Sequence, residues 1–115
     1  MTEGQSTVSD IRLDHMNIPA RDPLGLAQWY ARTFSLKAEE HLVRGPGLLI
    51  AFHSGAPVNR SPDELHMGFR VPSLEALSEW AKKFDATPKA GPEFTSFRIT
   101  DPEGNGIELY TPSRA

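Results

Sequence analysis

The chain has 115 residues, enough for one domain, and its 12 Lys and Arg against 15 Asp and Glu leave a net charge of −3 with histidines neutral. That balance argues against a basic nucleic-acid footprint, and no stretch approaches the ~18 consecutive apolar residues of a membrane span. With no cysteine in the sequence, disulfides, thiolate metal sites and cysteine nucleophiles are excluded, so any metal must be held by His, Asp or Glu.

Residues 1–9 are polar and lack an apolar targeting core, which predicts a disordered N-terminal tail and a soluble, cytoplasmic protein. A strand is expected over residues 11–18. Asp22 and Pro23 then read as an N-cap and a first helical position, and Leu26, Trp29, Tyr30 and Phe34 make one apolar face. Gly25 and Thr33 weaken that helix somewhat. Residues 36–43 offer one or two weak strands, and residues 48–53 form a denser apolar run. Alternation returns over residues 64–71. Ser73 caps a second helix whose face is Leu77, Trp80, Ala81 and Phe84, with Lys82 and Lys83 near its C-terminal end. Strands over residues 94–100 and 107–110 flank Asp-Pro-Glu-Gly-Asn-Gly and form a hairpin. The final Thr-Pro-Ser-Arg-Ala is short and polar.

The chain also repeats itself. Shifted by 51 residues, His15-Met16 falls on His66-Met67, Leu26 on Leu77 and Trp29 on Trp80, and Phe34 lands one residue from Phe84. Each half reads as a strand, a helix and about three strands, an α+β unit used twice rather than a solenoid. Residues 10–112 are therefore expected to make one domain of two modules, about 10–56 and 62–112.

Alternation along strands sorts the polar residues. Leu13, His15 and Asn17 share one face of the first strand, opposite Met16 and Ile18. Leu65, Met67, Phe69 and Val71 form an apolar face opposite His66, Gly68 and Arg70. In the last strand Ile107 and Leu109 oppose Glu108 and Tyr110. The apolar faces are expected beneath the helices, leaving His15, His66, Glu108, Asn17, Arg70 and Tyr110 on the other side. Two imidazoles and a carboxylate suit a facial triad for a divalent metal, while the bland alternative is three unrelated, satisfied side chains.

The segments LDHMNIPARDPLGLAQWYARTF, HMGFRVPSLEALSEWAKKF and FRITDPEGNGIELYTP resemble the vicinal oxygen chelate superfamily of glyoxalases, bleomycin-resistance proteins and extradiol dioxygenases. They span about half the chain and both repeats. The resemblance implies paired βαβββ modules forming an eight-stranded, open, barrel-like cup with helices on the outer face. It implies His15, His66 and Glu108 as ligands of one divalent metal ion (Mn, Fe, Ni, Co or Zn) that chelates neighbouring oxygens of a small substrate. A homodimer is also implied, with the site either within one chain or shared between swapped subunits.

Departures from the family pattern narrow the reading. Lactoylglutathione-type enzymes carry a further ligand on the last strand of the first module, where this chain has Ala51. His53, two residues on, is a ligand, a catalytic acid or base, or a solvent-touching strand end. Thiol transferases place basic residues beyond the glutamate, and here only Arg114 remains. Ring-cleaving dioxygenases place a tyrosine before the glutamate, and residues 94–105 hold none. Asn17, Arg70 and Arg98 are candidate substrate contacts, although Arg98 is better explained as a solvated side chain pointing outward beside Phe97 and Ile99. Trp29, Tyr30 and Trp80 suit core or dimer contacts, and His41 reads as a bystander. The expected function is a metal-dependent, glyoxalase-like enzyme of lyase, isomerase or transferase type, with His53 or Tyr110 as acid or base. It would act on a small oxygen-rich or anionic molecule. The alternatives are a metal-free, bleomycin-resistance-like binding module and a ring-cleaving dioxygenase.

Overall fold

The computed structural model of the protein describes residues 10–114. The expected tail at residues 1–9 lies outside them. The described chain divides between residues 56 and 57 into two compact units.

The first unit runs β1 (Met16–Ala20), α1 (Pro23–Phe34), β2 (Lys37–Glu39), β3 (Leu42–Gly45) and β4 (Leu48–Ser54). The second runs β5 (His66–Arg70), α2 (Leu74–Lys83), β6 (Lys89–Ala90), β7 (Phe94–Thr100) and β8 (Gly106–Pro112). Both are βαβββ, and their sheets have the same order, β1-β4-β3-β2 and β5-β8-β7-β6. In each, the first strand runs parallel to the last, and the remaining pairs are antiparallel. The α+β class and the duplicated module are those expected.

The helices begin where side chains satisfy their first free N–H groups. Asp22 Oδ1 accepts from the Gly25 N–H at 3.0 Å, with Pro23 at the first helical position. Ser73 Oγ accepts from the Ala76 N–H at 3.1 Å. α1 stops at Ser35, whose left-handed backbone (φ 56°) turns the chain towards β2. α1 buries Leu26, Ala27 and Tyr30 against its own sheet, and α2 buries Leu77 and Ala81. Trp29 and Trp80 are half-exposed flanking side chains, Trp29 edge-on to Tyr30 and Phe34, Trp80 stacked on Phe84.

The β7–β8 hairpin is pinned by a single carboxylate. Asp101 is buried and accepts from the Glu103 N–H (2.8 Å), the Asn105 N–H (3.0 Å) and the Asn105 side-chain amide (2.8 Å). Gly104, at φ 88°, closes the turn in a conformation that disfavours a Cβ. Register matters here because a one-residue slip would turn Glu108 to the opposite face.

Two expectations are corrected. The first strand starts at Met16, not residue 11: its pairing with β4 begins at Met16↔Ile50, and residues 11–15 belong to no described strand. The polar C-terminal stretch is also better held than its composition suggests. β8 continues to Pro112, and Ser113 bonds the Glu93 carbonyl, Thr95 Oγ1 and the Gly91 carbonyl, each at 2.8 Å. No described helix is long and apolar enough to cross a membrane.

Candidate functional site

In the second unit, alternation along β8 buries Ile107, Leu109 and Thr111 and leaves Glu108 and Tyr110 on the other face. Gly68 of β5 pairs with Glu108, Arg70 with Tyr110, and Arg98 of β7 lies directly across from Glu108. His66, Arg70, Arg98, Glu108 and Tyr110 therefore share one face. The outward alternative for Arg98 is ruled out, since its Nε sits 3.5 Å from Glu108 Oε2.

His66 is held from behind. Its Nδ1 lies 2.6 Å from the Pro62 carbonyl, which can only accept, so Nδ1 carries the proton. In a neutral ring Nε2 is then the bare nitrogen, and it faces Glu108 Oε1 at 3.5 Å. Both side chains are mostly buried, with 25% and 21% of their surfaces exposed. Two lone-pair-bearing atoms facing each other in a partly desolvated setting call for a positive charge between them, either a proton or a cation.

The turn that supplies Pro62 packs on the start of β8. A Cβ at Gly106 would stand 2.7 Å from the Leu65 carbonyl oxygen and 2.9 Å from Pro62 Cα, both backbone atoms. Gly106→Ala is therefore expected to cost about 1–3 kcal/mol and to push the Pro62 carbonyl off His66. Urea unfolding and the ring ¹⁵N shifts of His66 would check this. Unchanged stability with an unchanged tautomer would refute the packing argument.

Tyr110 lies edge-on to Phe94, and a Cβ at Gly68 would come to 3.4 Å from its ring. Arg70 is exposed and, among the described residues, has no ion-pair partner.

In the first unit His53 and Asn17 share a face, and His53 Nδ1 bonds Asn17 Oδ1 at 3.0 Å. An amide oxygen accepts, so this imidazole too presents Nε2 as its bare nitrogen. Ala51 pairs with Asn17 as Glu108 pairs with Gly68, which verifies that β4 lacks the carboxylate counterpart. By the same register His53 stands where β8 has Tyr110. His15 lies one residue before β1, with 56% of its side chain exposed and Nδ1 3.1 Å from Asp14 Oδ2. Among the described residues, neither unit by itself groups three His, Asp or Glu side chains as metal ligands.

Two features were missed. Asp63, in the turn before β5, is ion-paired with Arg98 Nη1. His41, read as a bystander, lines an open groove of about 410 Å³ with His53, Asp22, Pro23, Leu24, Phe52 and Ser54. The only sequence signal for Asp63 was its place in a Ser-Pro-Asp turn.

No family model and no curated protein sequence matches the chain. Among solved structures it is similar to a Bacillus anthracis protein described as a glyoxalase family member, at 20% identity and TM-score 0.68 over 90% of this chain and 96% of that one. It is similar to a lactoylglutathione lyase from Agrobacterium tumefaciens, at 20% identity and TM-score 0.63 over 92% and 96% of the two chains. It is also similar to an oxidase, ChaP-H1, at 15% identity and TM-score 0.67 over 88% and 95%. The chain has the vicinal oxygen chelate fold. At such identities the likeness carries the fold alone, and the two βαβββ modules of this vicinal oxygen chelate fold are those built above from caps, registers and faces.

Proposed function

We propose that the protein is a divalent-metal-dependent, glyoxalase-like enzyme acting on a small oxygen-rich or anionic molecule. The observation that carries this is the facing of His66 Nε2 and Glu108 Oε1 at 3.5 Å, with His66 Nδ1 occupied by Pro62. A tautomer fixed through the far nitrogen is the usual support of a ligating histidine. His66 and Glu108 would hold the ion, with His15 assigned as third ligand by the family resemblance. When bound, such an ion supplies Lewis-acid stabilisation of negative charge on chelated oxygens, worth several kcal/mol. Mn, Fe, Ni, Co and Zn all suit this N/O set.

The chain's own residues supply the rest. His53, its tautomer set by Asn17, offers a bare Nε2 as general base. Tyr110 is the second acid–base candidate. Arg70, exposed and without an ion-pair partner among the described residues, is the candidate to hold an anionic substrate group.

Titrating Mn²⁺, Ni²⁺ and Zn²⁺ into tag-free, metal-stripped protein tests the reading. One ion per chain is expected, with binding lost in His66→Ala. No binding, or binding indifferent to His66→Ala, would overturn it.

One observation favours a second reading, a metal-free binding module. Arg98 already places a cation beside Glu108, so an anionic ligand could be received there without a metal.

A further inference from the structure

We infer that Asp63 is a positioning residue that holds Arg98 back from Glu108 and so keeps the carboxylate open to a cation. The inference rests on the metal reading above and assigns a role to a residue that touches neither ligand.

Glu108 is mostly buried, yet among the described residues neither oxygen has a close partner. Oε1 stands 3.5 Å from His66 Nε2, and Oε2 stands 3.5 Å from Arg98 Nε. Both separations exceed the usual N–H···O range. Arg98 is nevertheless placed to do much better. It is the direct cross-strand neighbour of Glu108 in the antiparallel β7–β8 pair, a separation a guanidinium easily spans. An arginine beside a carboxylate normally closes into a two-bond fork, shorter and stronger than a single contact. Here it does not.

The reason is the second carboxylate. Asp63, in a turn before β5, accepts a hydrogen bond from Arg98 Nη1. The same turn carries Pro62, whose carbonyl fixes His66. One short loop therefore sets the tautomer of His66 and draws the guanidinium away from Glu108. Asp63 itself is far too exposed, at 85% of its side chain, to attract a distant cation strongly through screening solvent. Its effect must run through Arg98.

This gives a signed and non-additive expectation. In Asp63→Asn the guanidinium is released to fork onto Glu108, and affinity for Mn²⁺ or Ni²⁺ should fall about tenfold, the scale on which outer partners of metal ligands act. In Arg98→Met the competitor is gone, and affinity should be equal to or above that of the parent. In the double variant the loss caused by Asp63→Asn should disappear.

Calorimetric titration of the four full-length, metal-stripped proteins, with His66→Ala alongside, reads all of this. The inference is overturned if Asp63→Asn leaves affinity unchanged, or if its loss persists in the Arg98→Met background. If the parent binds no ion and Arg98→Met does, Asp63 does not keep the carboxylate open, and the inference is overturned. Indifference to His66→Ala, with ions still bound, would fail the metal reading instead. A crystal structure of metal-free Asp63→Asn decides the matter without any metal. Arg98 should be found making two short bonds to Glu108, and an unmoved guanidinium would refute the role of Asp63.

Discussion

Phe52→Ala is expected to cost about 3–5 kcal/mol of folding stability, the range for deleting a fully buried aromatic ring. Phe52 is 0% exposed, and its ring packs on Tyr30, also 0% exposed, with centroids 5.4 Å apart. The pair joins β4 to α1, so the cavity would open between the sheet and α1. β4 pairs with both β1 and β3, and neither neighbour can move into the void without straining its ladder. Against a typical total of about 5–15 kcal/mol, the loss would be large. Urea unfolding followed through Trp29, whose ring sits edge-on to Tyr30, would measure it. Phe94→Ala supplies the comparison. That ring is 49% exposed and touches the site face through Tyr110, so its removal should cost no more than about 1 kcal/mol. Equal losses in the two variants would contradict the placement of β4 beneath α1.

The contrast shows what local pattern can reveal. The period-2 alternation of residues 107–110 placed Glu108 and Tyr110 on one face because burial of Ile107 and Leu109 leaves no other option. The caps at Asp22 and Ser73 were equally plain, since a side chain three residues before a free N–H is a local event. The duplication let the missing carboxylate at Ala51 be read before any register was known.

What escaped detection depends on partners far along the chain. Where β1 begins is set by its pairing with β4, which starts at Met16↔Ile50, and the alternation of residues 11–15 carries no sign of that limit. Arg98 could not be turned inward by its own neighbours. Its orientation follows from pairing with Glu108 and from Asp63, 35 residues away. The His53–Asn17 bond joins residues 36 apart across a parallel pair, and no local spacing announces it. The site face was thus legible as a set of residue types, whereas its hydrogen-bonding and charge pairing were not.

Glu108→Gln separates the two functional readings by the sign of its effects. Glutamine keeps the volume and one oxygen of Glu108, so the β7–β8 pairing and the packing of Ile107 and Leu109 should survive, with an unchanged thermal midpoint. What it removes is the charge. If His66 and Glu108 hold a divalent ion, affinity for Mn²⁺ or Ni²⁺ should fall on the order of 100-fold or more, because even outer partners of metal ligands account for about 10–100-fold. If the face instead receives an anion directly, the same change should help. Arg98 would then answer to one carboxylate, Asp63, rather than two, and more of its charge would be available to a ligand. Oxalate, with two neighbouring carboxylates, is a suitable probe of metal-free protein. Tighter oxalate binding with no change towards metal favours the binding module, and weaker metal binding without an oxalate gain favours the enzyme. If neither probe responds, Glu108 is not at the centre of the site, and the facing of its carboxylate with His66 is a packing feature of the sheet.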